Sequence, residues 1–167
     1  MGTLWRTEKS ATVIILLEGC VMVEPYQWLI AHAQTLGVDP ALCGPASVDL
    51  RLSGHIRTAE HMGTMGRYPC WSERHTDATV LFIPECFYLC TTQETVHIPE
   101  THCALLSMRS TWARHGIGHK MAGFIDPGFH GQLTLEIDVS VPVSVPIYAP
   151  FVQLAFVRLT EPTVYVY

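Results

Sequence analysis

The chain has 167 residues and a formal net charge of −5. That length suits one domain, and an acidic balance without any basic run argues against binding to a nucleic-acid duplex. Hydrophobic residues make up 49% and charged residues 15%, which is ample material for a core and excludes a disordered chain.

The first apolar run, Thr12 to Leu17, is interrupted by Glu18 and falls short of the roughly 20 residues of a membrane span. No basic start leads into a long apolar run with a small-residue cleavage site, and Arg6 stands where a myristoylation signal needs Ser or Thr. The expectation is a cytoplasmic protein with no membrane partner. Trp28 to Leu36 has helical spacing at Trp28, Leu29, Ala31, Ala33 and Leu36, and Gly37 ends it. Pro45 to Leu52 alternates: Val48, Leu50 and Leu52 fall on one face, Asp49 and Arg51 on the other. Asp49 is expected to be structural. Arg51 fits a structural tie and a solvated strand charge equally well.

Ser53 to Asp77 is rich in Gly, His, Met and Arg with little periodicity, and is expected to be a loop, either mobile or covering the barrel. Strands are then predicted at Thr79–Ile83, Cys86–Thr91, Thr95–Ile98 and Cys103–Met108, punctuated by Pro84, Gln93-Glu94 and Pro99-Glu100. Val139, Val141, Val143 and Val145 alternate with Ser140, Pro142, Ser144 and Pro146, a pattern for an edge or bulged strand. Val152–Arg158 is the last long strand. Many short, evenly spaced strands with few helices predict an all-β barrel or jelly roll.

Three stretches carry candidate chemistry. In Met108–Gly116, MRSTWARHG, Ser110 is a fit N-cap, Thr111 to His115 make one helical turn and Gly116 stops it. Arg109 adds a fork of donors suited to phosphate, and Arg114 shares a face with Ser110. The same residues suit an ordinary capped turn with solvated arginines. In Met121–Ile137, Asp126-Pro127-Gly128 is a turn signal. After Gly131 the chain alternates strictly, with Leu133, Leu135 and Ile137 on one face and Gln132, Thr134 and Glu136 on the other. This is either two acids, Asp126 and Glu136, on a rigid platform or a surface hairpin with one wet face. In Phe151–Leu154, Gln153 is a functional amide or a satisfied core one.

Of the six cysteines, Cys86 and Cys90 sit in a strand-like run and are expected to be small buried hydrophobes. No C-x-x-C occurs, and neither the H-x-E nor the P-C-x-x-C signature of zinc deaminases is present. No zinc is expected.

FIDPGFHGQLTLEI resembles the signature of the dCTP deaminases, the zinc-free branch of the trimeric dUTPase superfamily. The resemblance implies a dUTPase-like distorted β-barrel or jelly roll with a few short helices, homotrimeric, as a single domain over 1–167. Residues 1–23 would form a short helix and first strand, and about 27–43 a helical insertion before the family's first conserved block at Pro45–Leu52. MRSTWARHG is similar to the family's R-S-S-L-A-R block, with Met108 for Gly, Thr111 for the second Ser and Trp112 for Leu. The resemblance then implies that Arg109, Ser110, Thr111, Trp112, Ala113 and Arg114 form a nucleotide-binding turn. Arg109 would meet the triphosphate, while Ser110 and Arg114 hold the substrate and attacking water near the catalytic Glu136. Asp126 would accept from the deoxyribose 3′-hydroxyl, Thr134 and Leu135 would line the base through their backbone, and Gln153 and Tyr167 would contact the nucleotide. Mg²⁺ would arrive with the triphosphate. The family has a Lys/Gln/Gly-rich tail that closes over the phosphates, which this chain is expected to lack after Tyr167, and Met121 stands where the family has a Thr tied to feedback inhibition by dTTP.

The expected activity is hydrolytic deamination of dCTP to dUTP and ammonia. The alternatives are a bifunctional enzyme that continues to dUMP, a dUTPase, and a non-catalytic nucleotide-binding regulator.

Overall fold

The computed structural model describes residues 22–59, 71–120 and 122–167. In chain order the elements are β1 (Met22–Val23), α1 (Tyr26–Leu36), a 3-10 turn (Pro40–Leu42), β2 (Val48–Ala59), β3 (Trp71–His75), β4 (Thr79–Phe82), β5 (Phe87–His97), β6 (His102–Met108), α2 (Ser110–Arg114), β7 (Ile117–His119), β8 (Phe124–Ile125), β9 (His130–Val139), β10 (Val143–Pro146) and β11 (Pro150–Arg158). The predicted all-β class is observed. Of the short helix and first strand expected in residues 1–23, Met22–Val23 is a strand and the rest lies outside the described residues, as do Cys20, Cys70 and Met121.

Nine strands form one sheet in the order β7-β9-β5-β2-β11-β6-β8, with β1 on β11 and β3 on β2; β10 and β4 pair separately. The sheet turns at β2. Val48 to Arg51 pair with β11, whereas His55 to Ala59 pair with β3 and Ile56 to Ala59 with β5. A bulge between Leu52 and Ile56 separates these stretches on the β5 side, and such bulges bend and twist a strand. The concave side collects Leu50, Leu52, Phe82, Leu135, Ile137, Phe151 and Phe156, all fully buried. Helix α1 lays Leu29, Ala33 and Leu36 into the same core. It starts two residues before the predicted Trp28, directly after Pro25, and ends as expected at Gly37, whose φ is 70°.

The structure corrects three expectations. Within the presumed loop at Ser53–Asp77, whose residues 60–70 lie outside the described residues, His55 to Ala59 pair with Trp71 to His75 as a ladder. Gly54 within it has no room for a side chain, since a Cβ would lie 2.1 Å from the Thr76 carbonyl. A glycine kept for close backbone approach reads in sequence as a loop signal. Secondly, the two strands predicted around Gln93-Glu94 are one. The interruption is a bulge between Thr91 and Thr95, where the Thr92 hydroxyl donates to the Glu94 carbonyl (2.9 Å) and accepts from the Leu133 amide (2.9 Å). Thirdly, the valine run at 139–146 is two strands. β9 ends at Val139, and β10 leaves to pair with β4, Val143 opposite Phe82 and Pro146 opposite Thr79. Pro142, which has no N–H for a ladder, falls in the bend between them.

Arg51 is structural. Its Nε donates to Glu94 Oε1 at 2.7 Å and its amide to Oε2 at 2.8 Å. Cys90 is fully buried, and burial pushes its thiol pKa up to about 12, which makes it inert; Cys86 is half-buried. The four described cysteines are free thiols. No described helix is long and apolar enough to cross a membrane.

The Glu94 side chain is only 4% exposed, so losing its partner strands a buried carboxylate. Arg51→Met should lower the unfolding free energy by about 3 kcal/mol, read as a lower urea midpoint with an unchanged slope. A change under about 0.5 kcal/mol, as at ordinary surface sites, would show that the pair does not hold the bulge.

Candidate nucleotide site

The turn Asp126-Pro127-Gly128 forms as predicted. Gly128 has φ +81°, and the Phe129 amide closes the turn on the Asp126 carbonyl at 3.3 Å. The turn is pinned to the end of β5, because Gly128 N–H donates to the Ile98 carbonyl and Ile98 N–H to the Phe129 carbonyl, each at 2.9 Å. Strand β9 leaves this anchor with the alternation seen in the sequence. Leu133, Leu135, Ile137 and Val139 are buried, Gln132 and Thr134 are exposed, and Glu136 and Asp138 are half-buried. On one face of a strand such residues follow at about 7 Å intervals.

A cleft of about 240 Å³ opens between the turn and β9; Asp126, Phe129, Gln132, Thr134 and Tyr167 line it. Tyr167 N–H donates to the Pro127 carbonyl at 2.9 Å, and its ring centroid lies 5.4 Å from that of Phe129. Glu136 stands one step beyond Thr134 on the same face. Its carbonyl accepts from the Lys120 amide at 2.9 Å, so β7 and the residue after it clamp the strand at this carboxylate. Leu135 is buried in the core, which leaves only its backbone to meet a ligand.

The second set of expected residues gathers on α2. Here the capping expectation is corrected. Ser110 is the first helical residue, and Arg109 occupies the cap position with extended backbone and no side-chain capping bond. Arg109 is tied down. Its Nε lies 3.1 Å from Asp49 Oδ1, and a terminal nitrogen donates to the Pro150 carbonyl at 3.4 Å. Burial raises the Asp49 carboxyl above its ordinary range, and the Arg109 guanidinium opposes that shift. Gln153 sits opposite Asp49 on β2 and opposite Ser107 on β6, so it belongs with Asp49. Trp112 Nε1 donates to the same Pro150 carbonyl at 2.8 Å, and its ring packs 6.1 Å from Phe151. The bulkier Trp in place of Leu is thus absorbed by the barrel wall. Gly116 takes φ +84°, the expected stop. Ser110, Thr111, Ala113 and Arg114 are exposed.

The expected site residues therefore fall into two groups on one chain. Asp126, Thr134 and Tyr167 line the cleft and Leu135 and Glu136 continue β9 beyond it; Arg109 to Arg114 and Gln153 lie around α2. Among the described residues, no hydrogen bond or ion pair joins the side chains of α2 to Asp126 or Glu136.

Sequence reasoning missed Gln132, Phe129 and His119. Gln132 and Phe129 were visible as neighbours of the turn but carried no signal of their own. His119, in β7, pairs with Ile137. Burial holds its imidazole below the ordinary histidine range, while the nearby Glu136 carboxylate pulls the other way. Its Nε2 is buried and has no hydrogen-bond partner among the described residues. A lone His in a short strand gives no warning of this.

A Cβ at Gly128 would lie 2.7 Å from that of Val166 on a backbone with φ +81°. Gly128→Ala should therefore cost about 1–2 kcal/mol and lift the Val166–Tyr167 segment off the turn. Thermal unfolding and protease sensitivity after Arg158 read both effects; an unmoved melting temperature with a protected terminus would contradict this packing.

The dCTP deaminase-like family model matches residues 27–159. A dCTP deaminase, dUMP-forming, of Kocuria rhizophila is 34% identical over 140 residues, covering 77% of this chain and 73% of the relative. One of Streptomyces coelicolor is 33% identical over 144 residues, with the same coverage. In structure, the 2′-deoxycytidine 5′-triphosphate deaminase from Agrobacterium tumefaciens superposes with a TM-score of 0.69 at 19% identity, covering 83% of this chain and 48% of that one. The fold is therefore the one these proteins share, and the chain belongs to the dCTP deaminase-like family.

Proposed function

We propose that the protein hydrolytically deaminates dCTP, with Glu136 as the proton carrier. The observation that carries this reading is the polar row of β9. Thr134 lines the cleft beside the Asp126 turn, and Glu136 follows on the same face, fixed by strands on both sides. The relatives' activity supports the substrate.

In this reading the deoxyribose 3′-hydroxyl donates to Asp126 and the cytosine lies along Thr134 and the Leu135 backbone. Its C4 then faces Glu136. The Glu136 carboxylate takes a proton from water, and the oxygen attacks C4 to give a tetrahedral intermediate. Glu136 passes that proton to N3, then carries the remaining hydroxyl proton to the amino group; the C4–N bond breaks, ammonia leaves, and the C4 oxygen becomes the carbonyl of dUTP. Ser110 and Arg114 orient the water and offset the developing charge. Among the described residues no hydrogen bond or ion pair joins α2 to Glu136, so in this reading Ser110 and Arg114 come from a neighbouring copy in a homotrimer. Mg²⁺ would arrive with the triphosphate, where it would offset the phosphate charge.

The named relatives are dUMP-forming, and this favours a second step in which dUTP is hydrolysed to dUMP and pyrophosphate before release. Incubation with dCTP and Mg²⁺, followed by assay of ammonia, dUTP, dUMP and pyrophosphate, tests both steps. Ammonia with dUMP and pyrophosphate is expected. Ammonia with dUTP alone would remove the second step, and no ammonia with intact dCTP would remove the first.

Glu136→Gln keeps the shape but cannot accept a proton. It should lower kcat by about 10²–10⁴-fold while dCTP still binds; near-normal turnover would dismiss Glu136 from the role. The shared site has its own test. Arg114→Ala and Glu136→Gln, each inactive alone, should regain activity when unfolded together and refolded as mixed oligomers. A mixture as inactive as its parents would place both groups in one subunit.

A further inference from the structure

We infer that Gln132 is a further substrate-binding residue that holds the sugar–phosphate end of the nucleotide, an inference that rests on the function proposed above. Among the polar side chains lining the cleft, Asp126, Thr134 and Tyr167 already have expected roles, and Gln132 is the one left over. It is exposed and lies on the face of β9 shared with Thr134 and Glu136. Four residues of extended strand place it about 14 Å from Glu136. A nucleotide with its C4 at Glu136 and its sugar at Asp126 therefore runs toward Gln132, away from the reacting bond.

The chemistry of the side chain agrees. Its Nε2 donates to the Gln93 carbonyl at 3.4 Å, which steadies the amide over the cleft. A primary amide has two N–H donors and one carbonyl acceptor, so one N–H and the carbonyl oxygen remain for a ligand. The strand below is held by Gly131 pairing with Val96 and His130 with His97. The free N–H suits an oxygen acceptor, either a phosphate oxygen or the 3′-hydroxyl, and both lie at this end of dCTP. Because Gln132 is far from C4, its contact is made equally in ground and transition states, which places its effect in KM and leaves kcat alone.

The test measures dCTP–Mg²⁺ binding by calorimetry in a Glu136→Gln background, where turnover does not interfere, and steady-state kinetics in the otherwise native protein. Gln132→Glu replaces both donors by a negative charge, and Gln132→Ala removes the side chain; both are surface changes. We expect Kd and KM for dCTP to rise about tenfold in Gln132→Glu and less in Gln132→Ala, with kcat within twofold. Binding of 2′,3′-dideoxycytidine triphosphate assigns the acceptor. A Gln132→Glu penalty that persists points to phosphate, and one that vanishes points to the 3′-hydroxyl. Unchanged Kd and KM in both variants, while Gln132-containing protein binds and turns over dCTP, would overturn the role of Gln132 and leave the proposed function standing. Failure of the Gln132-containing protein to bind dCTP would overturn both.

Discussion

One register governs the site. Leu89 on β5 faces Glu136 on β9, and Tyr88 faces Ile137. Side chains on a strand alternate, so a slip by a single residue would turn Glu136 into the core and Ile137 into the cleft. The buried row Leu133, Leu135, Ile137 and Val139 resists that slip, since each of these side chains would exchange its core contacts for water. The position of the carboxylate is thus set by apolar side chains that face the core.

The register is fixed from the other side by a polar device. In the β5 bulge the Thr92 hydroxyl takes the Leu133 amide, which the extra residues of β5 would otherwise leave unpaired. Thr92 is held by its bond to the Glu94 carbonyl, and Glu94 is held by Arg51 on β2. A hydrogen-bonded chain therefore runs from the half-buried Arg51 on β2 through the bulge to β9. It ends between Gln132 and Thr134, where the cleft begins. The same interruption, Gln93-Glu94, reads in sequence as the end of a strand.

Legibility followed the range of the forces involved. The alternation of β9, the Asp126-Pro127-Gly128 turn and the Gly37 and Gly116 stops are local, and each was visible in the chain. Asp49 was readable as structural, but its partner Arg109 was not, because their contact spans distant segments. The strands in 53–77 were hidden because Gly54 and the charged residues there break the apolar alternation, and pairing with β2 overrides that local weakness. Ser110 was misplaced by one position as a cap, since cap chemistry in sequence does not reveal that Arg109 is held in extended backbone by its own ties. His119 was illegible, because its burial and unpartnered nitrogen arise only from tertiary packing.

The central claim is that one nucleotide lies along β9 with its base end at Glu136. The most direct measurement is a crystal structure of the Glu136→Gln variant with dCTP and Mg²⁺. The account predicts the cytosine amino group within hydrogen-bond distance of residue 136, the deoxyribose at Asp126 beneath Tyr167, and Ser110 and Arg114 arriving from a neighbouring copy. A nucleotide bound elsewhere, such as the cleft lined by Trp28, His102 and Arg158, or one whose base points away from residue 136, would contradict it.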